Sequence, residues 1–302
     1  MLEFFRYVLM LLLSLIVVGV IGKVRAIYCG RYREAVLQPV WDIVKLVQRP
    51  HREISPEPSW VFRIAPSVAL ATVMSAATVV PVGGCGTTAG AVTAFSGDFL
   101  FFAYTIALGR FFTVLATLDT DNNLGALGAG RYVYIAALTE PAFLMIVGVM
   151  AMRTAKTSLS DLCHNGASVA SICAVVVLMI SVVVESGRMP IDDQANPDKH
   201  AILNNAQPLH YGGVDLAMMR MVAALKFTIY ASLTATMVMP HGMSVLAGVS
   251  LYVAIMLLIA VAIGVAESLS VRLATIHIAQ FIIAASAVAL MALVVVAFGD
   301  GR

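Results

Sequence analysis

The sequence predicts an all-α, polytopic integral membrane protein with about eight transmembrane helices and both termini outside, forming a single membrane domain over residues 1–302. Three observations predict it. First, 60% of the 302 residues are hydrophobic, only 12% are charged, and mean hydropathy is +0.92. A soluble domain keeps about a quarter of its residues charged, so the surplus apolar surface must face lipid. Second, the apolar residues fall into stretches of about 20, the length that crosses a hydrocarbon core as a helix. Third, Lys and Arg collect in alternate loops. One set holds Lys23, Arg25, Arg31, Arg33, Lys45, Arg49, Arg52, Arg63, Arg131, Arg188, Lys199 and Arg272. The other holds only Arg6, Arg153, Lys156 and Arg302. The first set is therefore read as cytoplasmic.

Spans are expected near 4–22, 61–82, 99–118, 133–152, 167–185, 214–239, 244–264 and 275–298. The first resembles a signal peptide in length. It lacks a small-residue cleavage site and basic residues follow at once, so it reads as a membrane anchor. The next segment, 23–60, is a long cytoplasmic loop containing AVLQPVWDIVKLV. Val36, Val40, Ile43, Val44 and Val47 recur there at helical spacing, with Asp42 and Lys45 on other faces. Two readings fit: an amphipathic helix lying on the membrane surface, or a short core helix packed under the loop. Between the second and third spans lies GGCGTTAGAVTAFSGD, glycine-rich and without a basic residue. After the fifth span comes the second long cytoplasmic segment, 186–213. With two long cytoplasmic segments, a soluble partner is expected to dock on that face.

The four cysteines, Cys29, Cys85, Cys163 and Cys173, include no C-x-x-C pair. Iron–sulfur and zinc sites need three or four closely spaced ligands, so no redox centre or metal site is expected in this chain. A Cys85–Cys163 disulfide is open but weakly supported, because sequence fixes pairing poorly. The histidines are scattered and form no H-E-x-x-H or similar motif.

A charge within a span costs at least a few kcal/mol and is a functional candidate by default. Arg110 falls in the middle of the third span and Glu140 in the middle of the fourth. Glu185 closes the fifth, Arg220 and Lys226 lie in the sixth, and Glu267 and Arg272 close the seventh. Lys226 lies about twelve residues into its span, about 18 Å of rise, too deep to snorkel. It needs a carboxylate, a water-filled cavity or neutrality. Asp215 precedes it by eleven residues and shares its face about three turns away, which suits a relay better than a direct pair. Pro141, after Glu140, removes the hydrogen bond to the Ala137 carbonyl and leaves a polar group that can hold water. A structural ion pair of Glu140 with Arg110 or Lys226 is the plainer alternative. The loop ESGRMPIDDQANPDKH crowds Glu185, Arg188, Asp192, Asp193 and Asp198 at the membrane surface, and Pro190 and Pro197 prevent a continuous helix. The expected set of proton-path or buried-charge residues is thus Arg110, Glu140, Glu185, Arg188, Asp192, Asp193, Asp215, Lys226, Glu267 and Arg272.

Five segments in order carry a resemblance. They are AVLQPVWDIVKL with SWVFRIAP, GDFLFFAYTIALGRFFTVLATLDTDNNLGALGAGR with LTEP, ESGRMPIDD, YGGVDLAMMRMVAALK, and ESLSVRL. Together they resemble the membrane subunit shared by respiratory complex I, its H-type subunit, and the group 4 membrane-bound NiFe hydrogenases, including formate hydrogenlyase. LQ-x-x-x-DI-x-KL, GRFF, LDT and RMPIDD are closer to the hydrogenase branch. The chain departs from the family in QANPDKHAILNNAQ, where the family places glutamates. It departs again at Tyr132, where the family often has a glutamate after the arginine, and in GRYREA of the first loop.

The resemblance implies a non-catalytic membrane anchor and proton-coupling subunit of an energy-conserving oxidoreductase complex in the cell membrane. This chain would hold no cofactor. Its partners would be peripheral hydrogenase-like large and small subunits on the cytoplasmic face, carrying iron–sulfur clusters and a NiFe site. Antiporter-like membrane subunits and the lipid bilayer would be its other neighbours, with no nucleic acid. The alternative is an H-type subunit of NADH:quinone oxidoreductase that contributes to a quinone pocket. An autonomous ion transporter is disfavoured, because the sequence has none of the internal inverted repeats such proteins often carry.

Overall fold

A computed structural model describes residues 2–30, 35–49, 59–83, 91–120, 123–162, 169–187, 211–240, 244–269 and 275–299. Among these residues every regular element is helical: α1 (Leu2–Tyr28), α2 (Gln38–Val47), α3 (Trp60–Val79), α4 (Asp98–Leu118), α5 (Asn123–Thr154), α6 (Leu159–Leu162), α7 (Val169–Glu185), α8 (Gly213–Val238), α9 (Val245–Leu269) and α10 (Thr275–Gly299). Seven of them are long and apolar enough to cross a membrane. The expected fifth span, 167–185, is described from Val169 onward as the apolar helix α7, with 17 described residues. Seventeen residues rise about 25 Å, the lower edge of what a bilayer core needs.

Three boundaries also differ from expectation for a physical reason. Helix α5 begins at Asn123 rather than near 133, because hydropathy falls across GALGAGR while the backbone stays helical. Its 32 residues rise about 48 Å, so it tilts or projects beyond the hydrocarbon. Helices α1 and α9 likewise run several residues past their expected ends, to Tyr28 and Leu269, carrying Lys23, Arg25 and Glu267 on helix rather than on loop.

Helix α8 is the hub. It packs against α1, α2, α3, α7 and α9. It buries 78% of its apolar stretch, against 28–44% for the other long spans. Lipid tails are as apolar as leucine, so helices associate in membranes through close packing of small residues and through hydrogen bonds. The sequence of α8 supplies both. Thr228, Ser232, Thr234 and Thr236 are all buried. Thr228 and Thr234 return their hydroxyls to carbonyls of their own helix. Ser232 instead donates to the Pro81 carbonyl at 3.2 Å and receives the Tyr252 hydroxyl of α9 at 2.9 Å. Around this hub α3 packs on α4, α5 on α10 and α7, and α1 on α9. Two glycines allow close approach. A Cβ at Gly109 of α4 would lie 2.3 Å from the Thr72 hydroxyl of α3, and one at Gly19 of α1 would lie 1.8 Å from the Val36 carbonyl.

Helix α2 settles the choice left open for the first loop. None of its residues is fully buried. Trp41 and Val47 are exposed, yet the helix leans on α1 and α8. It is an amphipathic helix on the surface of the bundle, seated by the close approach at Gly19.

Candidate functional site

Arg110 stands halfway along α4, 6% exposed. An isolated guanidinium at that position would be costly, and three helices supply its partners. One terminal nitrogen, Nη1, donates to the Glu140 carboxylate of α5. The other, Nη2, donates to Glu185 Oε1 of α7 at 2.7 Å. Two carboxylates from different helices thus share one cation. The pairing of Glu140 with Arg110, the plainer alternative in the sequence, is formed, and Glu185 joins it. Glu185 is also buried, and its second oxygen, Oε2, has no hydrogen-bond partner; neither has Arg110 Nε. The Glu140 side chain is 44% exposed, on the outer surface between α4 and α5.

A cavity of about 90 Å³ lies against this cluster, lined by Arg110, Thr139, Glu140, Glu185 and Tyr230 together with apolar residues of α4 and α5. A water needs roughly 10–15 Å³ of such space and two to four polar partners. The site offers room for several waters, and Glu185 Oε2 is a ready acceptor. Tyr230 of α8 also makes edge contacts with Phe102 and Phe143, at 5.6 and 5.7 Å between ring centres, closing the inner side with aromatic rings.

Lys226 lies one turn before Tyr230 on the same face of α8 and is 5% exposed. It donates to the Tyr132 hydroxyl of α5 at 3.0 Å. Its partner is therefore a phenol, not a carboxylate. The Arg110 guanidinium lies 5.7 Å from the centre of the Tyr132 ring, within the range of cation–π attraction, while the Lys226 ammonium sits at the hydroxyl edge of the same ring and is held by its hydrogen bond. Tyr132 thereby joins the Arg110 cluster to Lys226.

The other expected residues divide. Asp215 is not brought to Lys226. It sits at the start of α8 near Tyr211, whose ring stacks on Phe62 at 4.3 Å and whose hydroxyl donates to the Phe62 carbonyl. Burial pushes the Tyr211 phenol above its ordinary range, and the nearby Asp215 and Asp119 push it further. Glu267 is engaged elsewhere, accepting from Arg25 of α1 at 3.0 Å. Arg188, Asp192, Asp193 and Arg272 lie outside the described residues, as do Cys85 and Cys163. Sequence reasoning missed Tyr230 and Arg25 as participants and noted Tyr132 only as a departure. The spacing of four between Lys226 and Tyr230, which places them on one helical face, is the signal that was available for Tyr230.

A family model described as NADH dehydrogenase matches residues 3–298. Formate hydrogenlyase subunit 4 of Escherichia coli (strain K12) is 30% identical over 181 residues, a match spanning 58% of this chain and 57% of that protein's length. Hydrogenase-4 component C of the same organism is 26% identical over 243 residues, spanning 78% of this chain and 74% of that protein. The fold also matches a chain in the structure of the membrane-bound sulfane sulfur reductase, an archaeal respiratory membrane complex. The TM-score is 0.76 over 97% of this chain and 99% of that one, at 14% identity, a likeness that speaks to the fold alone. The first two relatives are named as a subunit and a component, and the third is a chain of a membrane complex. The family match runs from the first helix to the last, and the chain belongs to the NADH dehydrogenase family of complex I-related membrane subunits.

Proposed function

We propose that this chain is the membrane anchor and proton-coupling subunit of a formate hydrogenlyase- or hydrogenase-type complex in the cell membrane. It links a peripheral iron–sulfur and NiFe module on the cytoplasmic face to antiporter-like membrane subunits. The chain itself is non-catalytic and holds no cofactor, in keeping with four cysteines that lack cluster spacing. The relatives named above are hydrogenase-type components, which favours this reading over a quinone-binding role.

The observation that carries the reading is the shared cation. With Glu140 and Glu185 both ionised, one guanidinium faces two carboxylates, and the cluster has an excess negative charge that one proton neutralises. Glu185 is the last residue of α7, where the chain enters the acidic loop. A change of charge in a peripheral module docked on that loop alters which carboxylate Arg110 favours, and so where the proton resides. Tyr132 and Lys226 extend the polar chain toward α8. Glu140, half exposed on the outer surface of the bundle, is the point at which a neighbouring membrane subunit receives the proton.

The test is Glu185→Gln in the intact complex, reconstituted in vesicles. Dye-linked electron transfer is expected to survive while ion translocation falls at least tenfold. Assembly that is lost in this variant and restored by removing Arg110 as well would overturn the reading in favour of a structural ion pair. Full translocation would overturn it too.

A further inference from the structure

A second cavity, of about 450 Å³, lies where α1 and α7 end and α8 begins, roofed by α2. Its inner wall is apolar or small, with Leu15, Val18 and Ile43 facing Ala223 and Ala224. Its mouth carries Lys23 of α1, Asp42 of α2 and Arg220 of α8. Lys23 and Arg220 are exposed, and among the described residues neither is held in an ion pair. Lys23 is about five residues, or 7–8 Å of rise, from the end of α1, and Arg220 about 10 Å from the start of α8. That is the depth at which a bilayer's hydrocarbon gives way to its headgroups.

The walls call for an amphiphile, and the mouth sets its charge. Two cations against one carboxylate leave one positive charge to be matched, the complement of a single phosphodiester. Ammonium and guanidinium groups are the donors that bind phosphate oxygens, the guanidinium in bidentate geometry. A neutral headgroup would leave that surplus charge unmatched. We propose that this cavity binds an anionic phospholipid. Its phosphodiester lies between Lys23 and Arg220, and the first carbons of an acyl chain lie along Leu15, Val18 and Ile43. The lipid fills the gap between α2 and the bundle. This assignment is independent of any proton path through Arg110.

Gly22 supplies a direct test of occupancy. It lines the cavity, and a Cβ built on it meets nothing within 4 Å, so Gly22→Leu fills the space and leaves every charge in place. The experiment is native mass spectrometry of the full chain with the subunits that copurify. The added probes are phosphatidylglycerol, phosphatidylcholine, glycerol phosphate and a long-chain quinone. Phosphatidylglycerol is expected to be retained, one per chain, with phosphatidylcholine weaker and glycerol phosphate absent. Lys23→Gln and Arg220→Gln should each weaken retention about fivefold, and together about 25-fold. Asp42→Asn should strengthen it, and Gly22→Leu should abolish it. A variant that merely misfolds cannot produce the gain at Asp42. Unchanged retention in the double variant or in Gly22→Leu overturns the proposal. So does equal retention of phosphatidylcholine, which removes the charge argument. Binding of glycerol phosphate alone would assign the site to free phosphate esters, and retention of the quinone in preference to phosphatidylglycerol would assign it to a neutral ligand.

Discussion

The three buried charges at the centre of the bundle differ in what each holds. Arg110 faces two carboxylates, whereas Lys226 faces one phenol. Removing the shared cation of a buried ionic set leaves its carboxylates uncompensated, at a cost of about 3–5 kcal/mol. Arg110→Met strands Glu140 and Glu185 against each other and should abolish assembly of the complex on a native gel. Lys226→Met strands only a hydroxyl, which costs about 1–3 kcal/mol at most, so assembly should survive with a lower unfolding temperature. If both variants assemble equally well, the Arg110 cluster is not the electrostatic centre of the fold. The same logic explains what was legible at this scale. Arg110, Glu140, Glu185 and Lys226 stand out in the sequence because charge is expensive in lipid. Of their pairings only Glu140 with Arg110 was offered by the sequence; those of Arg110 with Glu185 and of Lys226 with Tyr132 join residues 75 and 94 apart along the chain. Tyr132 was least legible as a participant. An aromatic residue in a span is ordinary, and only the three-dimensional packing brings one cation to its ring and the other to its hydroxyl.

Among the elements, α3 and α4 meet at Gly109 and Thr72, one residue from Arg110. A larger side chain at Gly109 must push α3 away or displace α4. Gly109→Leu should therefore cost about 1–3 kcal/mol by overpacking, read as a fall in the unfolding temperature of the detergent-solubilised chain. Because the displacement carries Arg110 with it, ion translocation should fall too. Gly148→Ala is the control. A Cβ there meets nothing within 4 Å, and alanine is the better helix former by about 1 kcal/mol, so stability should hold or rise. Loss of stability in the control and not in Gly109→Leu would refute the packing argument. Helix positions were legible from hydropathy, because every long span must satisfy its own backbone in lipid. The start of α5 was not, since glycines and Arg131 lower the average without breaking the helix. Nor was the hub role of α8, whose hydroxyl-rich sequence lowers its hydropathy while filling the centre of the bundle.

For the whole molecule, the net charge of +2 says little, but its placement on the fold predicts which end should face the cytoplasm. The ends of α1, α4, α7 and α9, the starts of α3, α5, α8 and α10, and helix α2 all lie at one end of the bundle. Lys23, Arg25, Lys45, Arg49, Arg63 and Arg131 are at that end. At the other end Ser96 and Thr157 join two loops through a 3.0 Å hydrogen bond. Asp98 ties the same two loops by accepting from Ser158 and the Leu159 amide. Arg153, in the last turn of α5, and Lys156 are the basic residues beside them. Basic residues are retained on the cytoplasmic side during insertion, so the end carrying α2 should be inside, with the lipid cavity and the Glu185 terminus of α7. Single cysteines in a background from which the four native cysteines have been removed decide the matter. Ala94→Cys, exposed on the Ser96 loop, should react with a membrane-impermeant maleimide on intact cells. Gln48→Cys, exposed at the end of α2, should react only after the membrane is opened. The opposite pattern would invert the chain and move the docking face of any peripheral module outside the cell. It would also separate Glu185 from every cytoplasmic electron donor, and the coupling mechanism would fall with it.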